Sequence, residues 1–63
     1  MTWTLLASAP TVAGIERQIR RFWSSDAYSV EPATLEITHP TRTVRDAYRV
    51  VHVRNRYRFE AQS

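Results

Sequence analysis

The chain has no cysteine, no lysine and a single glycine, Gly14. Each absence closes off a class of chemistry. Without cysteine there is no disulfide framework, no thiolate metal site and no sulfur nucleophile. With Gly14 alone there is no glycine-rich loop to cradle a phosphate. No apolar run approaches the roughly 20 residues that span a bilayer, so no membrane partner is expected. The N-terminus lacks a basic segment followed by a long apolar core. A secretory signal is therefore not expected, and the cytoplasm is the expected location. At 63 residues the chain reads as one small domain, residues 1–63, of modest core and marginal stability. Its apolar share of 43% is that of a folded chain rather than a disordered one.

All nine basic residues are arginine. A GC-rich coding sequence accounts for that usage, while arginine also forks onto phosphate or carboxylate in a way lysine cannot. Placement carries more information. Residues 1–41 hold three Arg against four acids, a balance of −1. Residues 42–63 hold six Arg against Asp46 and Glu60, a balance of +4, so the whole excess of +3 lies in the last third.

That last third is dominated by Tyr48 to Glu60, YRVVHVRNRYRFE, which carries four of the nine arginines. Its branched and aromatic residues suit a pleated, half-buried surface. Strict alternation from Arg56 to Glu60 puts Tyr57 and Phe59 on one face and Arg56, Arg58 and Glu60 on the other. The Val50–Val51 pair breaks the alternation, so that segment is either buried on both faces or bulged. Asn55 tolerates a left-handed backbone, which places a hairpin turn at Arg54–Asn55. The rival reading is one long strand from Ala47 to Glu60, with Val51, Val53, Tyr57 and Phe59 on one face.

Earlier in the chain, Thr2 to Ala7 reads as a first strand, with Trp3 and Leu5 sharing a face. Ser8 or Thr11 is placed to cap a helix from about Pro10 or Thr11 to Ser24. Val12, Ile15, Ile19, Phe22 and Trp23 form its apolar stripe. Arg17, Arg20 and Arg21 fall opposite, where they suit the C-terminal dipole, and Glu16 is one turn from Arg20. Gly14 weakens the first turns but would allow close approach to a strand. Tyr28 and Val30 suggest a short strand cut by Pro32. Leu35 and Ile37 alternate with Thr34, Glu36 and Thr38 as a half-buried strand. A turn at 39–42 precedes a strand resuming at Thr43 to Arg45, bent near Asp46.

The expected fold is thus α+β, a small two-layer domain of β-α-β-β-β order. One amphipathic helix packs on a mostly antiparallel sheet. The expected core is Trp3, Leu5, Val12, Ile15, Ile19, Phe22, Trp23, Val30, Leu35, Ile37, Val51, Val53, Tyr57 and Phe59. One helix cannot cover both faces of such a sheet, so the other face meets water or a partner.

No catalytic constellation is visible. His39 precedes a proline in a turn and His52 lies mid-strand, and no spacing joins them to each other or to a nucleophile. Two histidines without cysteine give no metal-ligand spacing. No cofactor and no small-molecule substrate are expected. The Tyr48–Glu60 stretch resembles the tyrosine- and arginine-rich strand pair near the end of small bacterial ribonuclease toxins that cut messenger RNA. Some of those act through Arg, Tyr and His, so the resemblance implies a ribonuclease. The chain is shorter than such toxins and has one helix where they usually have more, so the expected role is non-enzymatic.

Two binding roles fit. Arg49, Arg54, Arg56 and Arg58 interleave with Tyr48 and Tyr57. Arginines bind phosphate and aromatics stack bases, so a basic C-terminal β-hairpin suits nucleic acid, with Tyr48 in the contact set. Against this, a row of arginines also protects a sheet edge from aggregation. The alternative is a protein-interaction module. It would form a homodimer, or serve as an accessory or inhibitor protein of a phage or mobile element that docks on a host protein.

Overall fold

A computed structural model describes residues 2–63. In chain order it contains β1 (Trp3–Ala9), α1 (Val12–Trp23), β2 (Ser29–Val30), β3 (Ile37–Thr38), β4 (Tyr48–Val53) and β5 (Arg56–Gln62). The main sheet is antiparallel in the order β1-β5-β4, and β2 and β3 form a small second ladder. The helix packs on one face of the main sheet, as an α+β reading requires.

The helix begins where a cap is available. Thr11 has an extended backbone, and its hydroxyl accepts from Gly14 N–H at 3.0 Å. The helix stops at Ser24, which takes the left-handed conformation (φ 52°). There Ser24 N–H reaches the Arg21 carbonyl and Ser25 N–H the Arg20 carbonyl, a closure that satisfies the last orphan acceptors. Gly14 lets the helix lie close to β1. A β-carbon at that position would sit 3.1 Å from the Ala9 β-carbon and 3.1 Å from Thr11 Oγ1.

Ile15 and Ile19 are fully buried, and together with Phe59 and Tyr28 they centre the core. The core continues through Ala9, Val30, Ile37, Val44 and Val50. The end of the helix adds an aromatic cluster. Trp23 stacks on Tyr28 with centroids 4.3 Å apart, and meets Tyr48 and Phe59 edge-on. The Tyr28 hydroxyl accepts from Arg42. Glu16 and Arg20, paired at 3.3 Å as the spacing predicts, also dock β2. Glu16 accepts from Val30 N–H at 2.8 Å, and Arg20 donates to the Tyr28 carbonyl at 2.8 Å.

Several expectations are corrected. Trp3 and Leu5 do share a face, but it is the outer one, because the β1–β5 register shifts between Leu5 and Ala7. Leu6 is the extra residue there. Beyond it Ala7 and Ala9 turn inward, which is why Leu5 is 47% exposed while Ala9 is buried. In β4 the inward residue is Val50, opposite Phe59, whereas Val51 is half-buried and Val53 is exposed. Phe22 is exposed too, although its ring touches Trp23, Tyr48 and Phe59.

The strand expected over 34–38 contracts to Ile37–Thr38. Its first half is a loop closed by Glu31 N–H to the Glu36 carbonyl, with Leu35 in the left-handed region at φ 61°. Thr43–Arg45 is not a strand. Val44 is buried and its carbonyl accepts from Ala47 and Tyr48, so a turn leads into β4. The hairpin forms at Arg54–Asn55, with Val53 opposite Arg56, which settles against one long strand. Arg54, not Asn55, takes the positive φ, at 58°.

Candidate basic sheet face

Strand alternation sorts the C-terminal hairpin into two faces. Tyr48, Val50, His52, Tyr57 and Phe59 share the helix side, by their pairings across β4 and β5. Arg49, Val51, Val53, Arg56, Arg58 and Glu60 share the outer side, and β1 adds Trp3, Leu5 and Ser8 to it. No other element covers this outer face among the described residues.

Glu60 is at its centre. Its side chain is 7% exposed, and it accepts from Arg49 Nε at 2.8 Å and from Arg58 Nε at 3.0 Å. A buried carboxylate needs partners, and two guanidinium groups supply them. The Arg49 guanidinium also lies 4.0 Å from the Trp3 ring centroid, so it is held between an aromatic face and a carboxylate. Arg56 donates from Nε to Ser8 Oγ at 3.0 Å across to β1. Arg54 is carried at the turn. Arg49, Arg56 and Arg58 each bind through Nε, which leaves their terminal nitrogens for the surface.

Leu5, Ser8, Val53, Arg54, Arg56 and Arg58 line a shallow hollow of about 400 Å³ on this face. Its walls combine two exposed apolar side chains with three arginines. A larger hollow of about 510 Å³ lies at the end of the helix, between Arg17, Arg20, Arg21, Ser24, Ser25 and Asp26. There Arg20 is already bound to Glu16 and the Tyr28 carbonyl, and Asp26 offsets a further charge.

The charge distribution decides between the two. Arg49, Arg54, Arg56 and Arg58 against Glu60 leave three positive charges on the outer face, and +3 is the net charge of the whole chain. The other five arginines are matched by five acids.

Comparison with protein-family models, with curated proteins and with solved structures finds no match.

The structure brings together four of the five residues that the sequence nominates. Arg49, Arg54, Arg56 and Arg58 lie on the outer face or its turn. Tyr48 does not join them. It points to the helix side, with its ring 4.8 Å from Trp23 and 5.8 Å from Phe59. Tyr57 is likewise turned away and stacks on His52 at 4.3 Å. The aromatic partner of the arginines is Trp3, which the alternating pattern of the first strand had assigned to the core. Glu60 was legible as a neighbour of Arg58 but not as the acceptor for two arginines.

The histidines serve local contacts. His39 Nδ1 accepts from Thr41 N–H at 3.2 Å, and its ring packs on Tyr28. Among the described residues no group of three His, Cys, Asp or Glu side chains converges on a point. No helix among them is long and apolar enough to cross a membrane.

Proposed function

We propose that this chain is a non-enzymatic cytoplasmic domain that binds single-stranded nucleic acid on the outer face of its main sheet. The observation that carries the proposal is the gathering on that one open face of an excess equal to the chain's whole net charge. Phosphates would pair with Arg54, Arg56 and Arg58. Bases would lie against Leu5, Val53 and the Trp3–Arg49 stack. Exposed apolar groups between arginines favour a single strand, whose bases are free to leave water, over a duplex that keeps them inside. The exposed Leu5 and Val53 also suit an acidic protein surface, which is the second reading.

Anisotropy of short labelled oligonucleotides, single-stranded and duplex, separates the two. With three phosphates neutralised, affinity for a single strand falls about twentyfold between about 50 and about 200 mM salt. The double variant Arg54→Ser, Arg56→Ser should keep the circular dichroism of the parent, lose most of the affinity and flatten the salt dependence. Arg58 is left in place because Glu60 depends on it. Binding that ignores salt, or no binding at all, rejects the nucleic-acid reading and turns attention to the acidic protein.

A further inference from the structure

We propose that two copies of this chain associate through the free edges of β1, pairing antiparallel so that their main sheets join into one. This stands apart from the nucleic-acid reading. Three features of the edge point to it.

The first is its composition. β1 is an outer strand of the sheet, and WTLLASA contains neither charge nor proline. Exposed edges are ordinarily blunted by charged side chains or proline within the strand, and β1 carries neither. Its bulge at Leu6 is the one blunting device, and it confines pairing to a short stretch, so association should depend on concentration.

The second is the apolar surface on both sides of the strand. Four large hydrophobic residues are exposed among the described residues, and three of them flank this edge: Leu5, Leu6 and Phe22. Leu5 belongs to the outer face. Leu6 and Phe22 line a hollow of about 290 Å³ on the helix side, with Ala7, Gln18, Arg21 and Phe59. A strand laid along β1 would cover apolar surface above and below while it satisfies the open backbone groups.

The third is charge, and it selects the partner. The row beside β1 is basic, so a basic strand is excluded. The other outer strand, β4, carries Arg49, leads into Arg54 and has β3 packed near it. Pairing β1 of one copy with β4 of the next is therefore disfavoured, and with it an open-ended filament. Pairing β1 with β1 closes on itself with two-fold symmetry. The two uncharged strands also act as a spacer. At about 4.8 Å per strand, the two β5 strands are held about 14 Å apart. Arg49 and Arg56 lean back over β1, onto Trp3 and Ser8, so repulsion between the two faces depends on screening and association should tighten as salt rises.

Sedimentation equilibrium over a range of concentrations tests this. The parent chain should rise from 7.4 kDa towards twice that mass as concentration increases. Leu6→Arg places like charges in the middle of the junction and should hold the chain at monomer mass, with its circular dichroism unchanged. Val53→Lys, on the far strand of the outer face, should still dimerise. A parent that stays monomeric at every soluble concentration overturns the proposal. So does a Leu6→Arg variant that dimerises like the parent. Loss of dimer in folded Val53→Lys would show packing through the outer face and overturn it as well. If Leu6→Arg does not fold, Leu5→Lys replaces it, with the same two outcomes.

Discussion

Glu60→Gln is the most informative single substitution, because one buried carboxylate organises the basic face. It accepts two hydrogen bonds from charged donors, at 2.8 Å from Arg49 and 3.0 Å from Arg58. Hydrogen bonds to charged groups contribute about 1.5–3 kcal/mol each. Both arginine side chains are about two-fifths exposed (42% and 40%), so they regain water when the bond is lost, and solvent screening reduces the lower figure further. Glutamine keeps one neutral acceptor, worth about 1 kcal/mol, but aims an amide donor at the other guanidinium. The net loss is about 2 kcal/mol, well below the 3–5 kcal/mol typical when a fully buried ion pair is broken. In a domain of this size each kcal/mol moves Tm by about 4–8 °C, so thermal unfolding followed by circular dichroism should show a fall of about 8–16 °C. A second measurement isolates the pairing. Arg49→Gln should destabilise the parent and cost clearly less in the Glu60→Gln background, where the stack on Trp3 remains. A Tm within about 2 °C of the parent, or fully additive substitutions, would refute the idea that Glu60 holds the arginines in place.

Two further substitutions probe the helix. Ile19→Ala should cost about 3 kcal/mol in urea denaturation, because Ile19 is fully buried and a small core has little to fill the space; unchanged stability would mean the helix stripe is not packed on the sheet. Ser24→Gly should raise stability by about 0.5–1 kcal/mol in the same assay, because a left-handed residue ending a helix favours the absence of a β-carbon. A loss there would show that the Ser24 side chain matters more than its backbone.

The sequence made the helix legible in detail, and the hairpin nearly so. Thr11, the Ile15–Ile19 stripe and the Glu16–Arg20 pair are local signals, each read within one or two helical turns. The alternation of Arg56 to Glu60 likewise assigned each side chain to its observed face. What failed depended on partners distant in sequence. Trp3, Leu5, Ala7 and Ala9 have one parity in the sequence, yet Leu6 reverses it half-way, and nothing within β1 announces that its register on β5 shifts. Val50 rather than Val51 faces the core because the two-residue turn sets it opposite Phe59. Val44 and Tyr28 were missed for another reason. Both reach the core from irregular backbone or its margin, where no period marks the inward side.

The site was read to the same depth. Its arginines were visible as a cluster in sequence. Their separation from Tyr48 and Tyr57 follows from alternation for Tyr57, and from the turn register for Tyr48. Trp3 and Ser8 enter the site only through the pairing of the first strand with the last, across nearly the full length of the chain.

That pairing governs how the molecule can come together. The strand flanked on both sides in the main sheet is the last one in the chain, β5, and the strands beside it are β4 and β1. During synthesis β1 and α1 emerge first and have no sheet to join. Their exposed leucines and tryptophan must wait for residues 56–62, after which the hairpin closes locally and captures β1 across a loop of nearly the whole chain. Closing such a loop is slow compared with hairpin formation, so the capture of β1 is expected to be the late step of folding. Loss of residues 56–62 would not trim an edge; it would remove the middle of the sheet.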